Sequence, residues 1–565
     1  MATFTGGTKG VNLIAETSGP STLSLGAVAD GQYLQRSGTD LVGASGTDVY
    51  DAVVPDTHAT LSAAITAGNR MIFVRKGTYL EPAPISVTTE SLVIHGEAVA
   101  ETALVFSSLA PSSVALTFAP VSFVTTGTVT LTQSSNNVTG VGTNFLSIPA
   151  GQSLIVGGVL YSIDTVADDL NLTIQETYGG VTHSGLAWYT TPLISFEMKN
   201  IVFAGGNVAN LDGLVIEGGA RTFMQNVFMT GFRDAVTINR CVSTRLDYCF
   251  ANTNSRRGFY FRDQIGALTC SACNANNNGD EGFRDEPAVG AATANFGLHH
   301  AYVSCNAFGN GLDGFFASNN ACAMSFSDCT AIANAKDGFN LQAPGVDTKM
   351  LSCTSENNAQ RGVDAGGNNG LIEMLIDGCT FIDNPTCGID LTQSNSVTIT
   401  NNRFYGNAQQ SIIIQRFNHV IANNWTQSAV FIDGLSAGQC VIIGNVVDVG
   451  FVGDIFLRTG SDENMVQGNQ VGQIVVIGDR NVVNGNQFQG NTTPLLDVTG
   501  DNTTITGNLL RTTAAATVLE IRAGSNDTVV TGNSLINGGG AKYTDAGTGT
   551  IGLGAAYMAA PVNFE

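Results

Sequence analysis

Three carboxylates of this chain occupy the same place in a repeated pattern. Glu281, Asp313 and Asp337 each stand immediately before a glycine, and each of those glycines, Gly282, Gly314 and Gly338, lies nine residues after a cysteine. The same spacing joins Cys249 to Gly258, Cys353 to Gly362 and Cys379 to Gly388, so the slot before the glycine reads Arg257, Glu281, Asp313, Asp337, Arg361, Cys387. Crowded carboxylates divide acid and base work between them: repulsion keeps one protonated and ready to donate, while another stays ionised as base or nucleophile. In glycoside hydrolysis a separation of about 5 Å serves a covalent intermediate, and one of roughly 6.5–9.5 Å leaves room for an attacking water. The three acids are therefore candidate catalytic groups. Arg257 and Arg361, which close the row at either end, are candidate substrate contacts.

Neighbouring residues extend the set. The step from Cys273 to Cys305 is 32 residues where the next two steps are 24, and the surplus falls between Gly282 and Cys305. It reads as a loop beside the acids that carries Arg284, Asp285 and Glu286 and ends near His299, His300 and Tyr302. Loops beside a rigid sheet commonly hold ligands, which makes Arg284, Asp285, Glu286 and His300 candidate substrate contacts. Rings stack on the C–H faces of sugars. Tyr260 and Phe316, each two residues after the repeated glycine, are the aromatic candidates of this region, with Phe404, Tyr405 and Trp425 on further outward or turn slots. No metal site is expected, because adjacent strand residues such as His299 and His300 point to opposite faces and Cys270 and Cys273 lack the second pair of a zinc site. No cofactor is expected either.

What could hold such a row in register is the repeat itself. The Cys-to-Cys steps are 24, 32, 24, 24 and 26 residues. Asn402, Asn424, Asn445, Asn469, Asn486, Asn508 and Asn533 then take the cysteine slot, and Asn226 is read as preceding it. A period near 22 to 24 residues with three short β-type runs is too short for a propeller blade and lacks the leucine-rich signature. It specifies a parallel β-helix with three strands per coil. Coils stack ~4.8 Å apart, so equivalent residues form columns. Buried Asn side chains in a column satisfy one another, where each unpaired group would cost about 1–3 kcal/mol. Cysteine there is a small apolar filler, and no disulfides are assigned. Composition agrees: 67 glycines, 43% hydrophobic residues and 12% charged residues describe a folded, all-β chain and neither a helical bundle nor a disordered one.

The apolar open end of such a helix must be covered. Asp56 and Thr57 are read as the cap of a short amphipathic helix that has Leu61, Ala64 and Ile65 on its apolar face and ends at Gly68, with Met71 to Val74 as the first strand. The block from Leu61 through Gly77-Thr78-Tyr79 to Glu81, followed by Ile94-His95-Gly96, resembles the opening of the pectate-lyase-like β-helices of phage tailspikes. That resemblance implies a capping helix and a right-handed coil. A second segment, Leu23 to Gly43, resembles one that recurs near the virion attachment point of phage tail fibres and tailspikes. Residues 122–190 break the rhythm with alternating strands and Gly/Asn turns, the pattern of an inserted small antiparallel β module. The expected organisation is a virion-attachment segment over 1–55, the capping helix and first coils over 56–121, the module over 122–190, the main parallel β-helix over 191–540 and a tail over 541–565.

A formal charge of −22 disfavours nucleic-acid binding, which needs clustered Lys and Arg against phosphate. No run of 18 apolar residues is present to span a bilayer, so no membrane insertion is expected, and the start lacks the regions of a signal peptide. The resemblance implies a virion spike, made in the host cytoplasm, assembled as a homotrimer and joined to other virion proteins through its N-terminus. Such a spike acts at the bacterial cell surface, where it binds a surface polysaccharide and cleaves it, by hydrolysis through the acidic row or by elimination with a basic or phenolic residue. The alternative is a non-catalytic virion fibre, decoration or adhesin protein with a glycan-binding β-helix, because the two kinds look alike in sequence.

Overall fold

In the computed structural model the described residues run from 50 to 552, less short stretches such as 120–125, 263–265, 287–298, 319–322, 343–347, 366–370 and 448–453; before residue 50 only four short strands are described. The chain winds into a right-handed parallel β-helix of about 18 turns. A representative coil consists of the strands Ala267–Ser271, Asn274–Asn276 and Phe283–Glu286. Each pairs in parallel with its counterpart in the coil before and the coil after. In earlier coils one ten-residue strand, Ser195–Ala204 or Arg221–Thr230, spans the first two positions.

Alternation along each strand sends Leu268, Cys270, Ala275 and Phe283 into the core, where Ala275 and Phe283 meet Ala307 and Phe315 of the next coil. Phe259, Phe283, Phe315 and Phe339 form a continuous stack with ring centroids 5.0, 4.8 and 4.8 Å apart. The repeated glycine just before these rings has a steric origin. A Cβ on Gly258 would lie 2.6 Å from the carbonyl oxygen of Gly282, and one on Gly314 would lie 2.7 Å from that of Gly338.

The corner between the first two strands is made by a residue in the left-handed region, followed by the Cys or Asn of the repeat. Ala272, Ser352 and Asn401 adopt φ of 51°, 54° and 58°, and Gly444 adopts 65°. The Asn column forms as expected. Asn445 donates from its N–H and its Nδ2 to Asn469 Oδ1, both at 2.9 Å, and Nδ2 also donates to the Ile421 carbonyl at 2.9 Å. The column meets the cysteines where the Cys379 N–H donates to Asn402 Oδ1 at 2.8 Å. One expected member is displaced: the register sets Phe228 beside Phe250, so Val227 shares the cysteine slot, and Asn226 sits one residue earlier and bonds Asn200 at 3.0 Å. A second ladder, from Asn254 through Asn278, Asn310, Asn334, Asn358 and Asn384 to Asn407, runs along the next corner.

The capping helix is Leu61–Thr66, with Leu61, Ala64 and Ile65 buried. Its cap is Thr60, whose Oγ1 accepts the Ala63 N–H at 3.1 Å, and not the expected Asp56–Thr57, which lies a turn too early; Asp56 instead pairs with Arg75 at 2.6 Å. Buried Glu81 accepts the N–H groups of Leu61 and Ser62 at 2.8 and 3.0 Å, which fastens the helix to the coil beneath. Met71–Val74 is the second rung rather than the first, because Ala52–Val54 pairs with it in parallel.

The inserted module is a seven-stranded antiparallel sheet within 128–192, with a separate core around Leu131, Phe145 and Trp188. In the N-terminal segment Gln32–Ser37 and Asp40–Ser45 form an antiparallel hairpin. Coils continue past residue 540, since Tyr543–Asp545 pairs in parallel with Leu519–Ile521; residues 553–565 lie outside the described residues.

Asn445→Ala removes the acceptor used by the N–H and Nδ2 of Asn424 and the Nδ2 donor to Asn469. The expected cost is about 1–3 kcal/mol, read as a lower denaturant midpoint. A wild-type midpoint would show that the ladder carries no stability.

Candidate functional site

Backbone bonds place the three acids in one column on successive coils: the Gly282 N–H donates to the Asp313 carbonyl at 3.1 Å, and the Gly314 N–H to that of Asp337 at 3.0 Å. The column is not the surface row that spacing suggested. Glu281, Asp313 and Asp337 are 2%, 2% and 0% exposed, because the chain turns inward before each glycine and long cations close over the carboxylates. Glu281 is bonded by Arg257 Nε at 3.2 Å and by Arg284. Lys336 Nζ lies 3.5 Å from Asp313 and 3.8 Å from Asp337, and Arg361 lies 3.7 Å from Asp337.

Each aspartate also ties two coils together. Asp313 accepts the Asp337 N–H at 3.1 Å and Asn340 Nδ2 at 3.0 Å, and Asp337 accepts the Arg361 N–H at 3.0 Å. The column starts earlier than the cysteine repeat revealed: Asp212 and Asp234 occupy it two coils and one coil before Glu281's neighbour Arg257 and bond Arg233 and Arg256 at 2.7 Å each. Asp212-Gly213 was the available signal. Burial raises the Asp313 carboxyl. Burial, then the charges of Asp313 and Asp364, push Asp337 up to about 7.

Above the column, the outer face of the third sheet carries a ladder of its own. Tyr260, Arg284 and Phe316 are register partners on three successive strands. The Arg257 guanidinium lies 4.3 Å from the centre of the Tyr260 ring, and that of Arg284 lies 4.5 Å from the centre of Phe316. Glu286 accepts from the Tyr260 hydroxyl and from Arg284 Nε, the latter at 2.7 Å. Burial and the Glu286 carboxylate push the Tyr260 phenol up to about 12. The structure thus brings Arg257, Tyr260, Glu281, Arg284, Glu286 and Phe316 together. Arg361 lies further along the axis and bonds Asp364 at 2.7 Å and pairs with Asp390 at 3.0 Å.

Asp285 and His300 do not join this face. Asp285 is in register with Phe261 and Ala317, so strand alternation turns it into the core. There its Oδ2 meets His300 Nδ1 at 2.5 Å and accepts the Tyr302 hydroxyl at 3.0 Å. The adjacent His299 is exposed and His300 buried, the divergence a strand imposes. The loop expected beside the acids falls on 287–298, outside the described residues. Phe404 is buried and stacks on Phe381 at 5.1 Å, not outward. Tyr405 and Trp425, 4.9 Å apart, lie on the second run of strands, away from the acids.

A family described as "Right handed beta helix region" matches residues 348–471. No curated protein matches the sequence. Solved structures similar to this chain include the tailspike protein of Pseudomonas phage LKA1, at 14% identity and a TM-score of 0.41 over 83% of this chain and 77% of that one. The tailspike of Acinetobacter baumannii bacteriophage AP22, solved in complex with A. baumannii capsular saccharide, matches at 12% identity and 0.39 over 82% and 75%. The A-module of a mannuronan C-5 epimerase from Azotobacter vinelandii matches at 13% identity and 0.30 over 88% and 94%. The similarity is one of fold.

The raised Asp337 carboxyl sets a pH dependence. Its value of about 7 in the folded chain stands above the usual 3.8, so between those pH values the folded state holds a proton that the unfolded state has released. This contribution to stability is present at low pH and is lost as pH rises through about 7. Asp337→Asn, isosteric and neutral, escapes that loss and is expected to melt higher, relative to the wild type, at pH 8 than at pH 5. Thermal melts that give the same difference at both pH values would place Asp337 in the ordinary carboxylate range.

Proposed function

We propose that the chain is the receptor-binding spike of a phage and that the third-sheet face around Tyr260, Arg284 and Phe316 binds a bacterial surface polysaccharide. The observation that carries this reading is the ladder of guanidinium, ring and carboxylate on consecutive coils. Rings offer flat apolar surface to sugar C–H faces, while Arg257, Arg284 and Glu286 supply donors and acceptors for hydroxyls. Tyr260, Arg284, Glu286 and Phe316 stand on a hydrogen-bonded sheet with Arg257 at the corner before it, and all five are already paired with one another, so little ordering is needed on binding. The resemblance of Leu23 to Gly43 to virion attachment segments supports the rest of the reading: a homotrimer, carried on the virion through its N-terminus and acting at the bacterial surface.

Cleavage of the bound glycan by Glu281, Asp313 and Asp337 is the further step of this reading. One observation favours binding without cleavage. A general acid must come within about 2.6–3.2 Å of the atom it protonates, and these acids lie beneath Arg257, Arg284, Lys336 and Arg361.

Arg284→Ala and Phe316→Ala are each expected to weaken binding of the purified host polysaccharide roughly tenfold or more, measured by calorimetry or surface retention. Unchanged affinity in both would overturn the assignment of this face. For cleavage, Asp313→Asn is expected to lower the release of reducing ends about 10²–10⁴-fold while leaving binding intact. It also costs about 1–3 kcal/mol, because the new amide turns a donor toward Asn340 Nδ2, so circular dichroism must first show a folded variant. A wild-type protein that releases neither reducing ends nor unsaturated uronate has binding alone as its function.

A further inference from the structure

A second cluster lies on the outer face of the first sheet, in the two coils before the cysteine repeat and the first coil of it. Glu197, Phe223 and Arg245 are register partners on three successive strands. Arg221 stands two residues before Phe223 on the same strand, which makes it a diagonal neighbour of Arg245, with the two backbones ~7–8 Å apart. With Ser195 and Ser243 these residues line an open cavity of about 530 Å³.

Its charges are arranged. The Phe223 ring has Lys199 Nζ 4.9 Å and the Arg245 guanidinium 5.8 Å from its centre. Lys199 is held by Glu197 at 2.6 Å, and Glu197 also meets His95 Nε2 at 2.7 Å. His95 Nδ1 in turn faces the Tyr50 hydroxyl at 2.7 Å. Arg245 is fixed from below through Nε, which bonds Asp247 at 2.8 Å, and its side chain is 64% exposed. Among the described residues no carboxylate pairs with Arg221. The chain carries 24 basic and 46 acidic residues, so three cations against two carboxylates around one cavity reverse the prevailing sign locally, and both carboxylates are already occupied. A cavity of this polarity attracts an anion.

We propose that this cavity binds a carboxylate-bearing sugar residue of a polysaccharide, with Arg221 and Arg245 gripping the carboxylate and the hydroxyls of Ser195 and Ser243 at its border. The site rests on the reading that the chain binds polysaccharide, and it is separate from the third-sheet face. Arginine suits the role because its planar fork matches a carboxylate and keeps its charge at any physiological pH. The Glu197–His95–Tyr50 chain acts as support: it holds Lys199 in place and leaves the two arginines to meet the ligand.

The test titrates the full chain with tetragalacturonate, with maltotetraose as the neutral probe and with inorganic phosphate. Tetragalacturonate is expected to bind with Kd of about 1 mM or tighter, more weakly as salt rises, while maltotetraose does not bind. Arg221→Ala and Arg245→Ala, both at exposed positions, are expected to lower that affinity roughly tenfold or more. Equal binding of maltotetraose, phosphate competing as strongly as the uronate oligomer, or affinity unchanged in both variants would each overturn the proposal. The third-sheet face is tested with other variants and with the host polysaccharide, so the two assignments fail independently.

Discussion

Everything in this solenoid depends on one constraint: each residue is stacked, one coil away, on the occupant of its own slot. In the core, parallel pairing at ~4.8 Å favours side chains that fit their like. Phenylalanine rings satisfy it by lying flat on one another, as Phe283 does on Phe315 at 4.8 Å. Asparagine satisfies it by chemistry, since one amide end donates and the other accepts, and the Asn402 to Asn533 column uses both. Glycine satisfies it by absence, because the carbonyl of the next coil already fills the space where a Cβ of Gly258 would stand.

A carboxylate fails the same test, and the acidic column displays the remedy. Asp313 and Asp337 follow one another with Lys336 and Arg361 to offset them, and burial pushes the Asp337 carboxyl up to about 7. The earlier members, Asp212 and Asp234, each have an arginine from the following coil, so each carboxylate is matched by a cation one coil on. Much of what looks like catalytic crowding is thus also the way an acidic column stays folded. In the outward ladder Arg284 shares that duty through Glu281, but the rings of Tyr260 and Phe316 do not, which is why the ladder carries the functional reading.

Spacing made the columns legible, because the interval from Cys273 to Gly282 recurs without change. It did not reveal which way a column faces. Whether the residue before each glycine turns outward depends on the corner's dihedral angles, and the three acids turned inward. Asp285 could have been placed from the sequence: Phe283 is a core residue, and two residues on, the same parity holds. Reading the segment as loop concealed that. Asn226 slipped by one because Val227 fills the cysteine slot, and an Asn at the corner itself, with φ of 52°, serves the turn instead. The cluster around Phe223 is not marked by the repeat, because the coils of Glu197 and Phe223 lack its cysteine and Arg245 stands four residues before Cys249, the first of the series. The second Asn ladder is equally legible, because an Asn stands five residues after each cysteine of the repeat from Cys249 to Cys379, as in Asn254 and Asn278.

Self-matching slots also make the coil a unit of exchange. Residues 329–352 span one full step of 24. Their excision would set Cys305 on Cys353, Asn310 on Asn358 and Gly314 on Gly362, and Phe315 would meet Val363 as Phe339 does now. The same excision would seat Asp313 against Arg361 and erase Asp337 altogether. A lineage built this way can change the reach of its shaft by whole coils at little cost to folding, while each such event rewrites the charge sequence along its flank. Length and surface chemistry are inherited together, in steps of one turn.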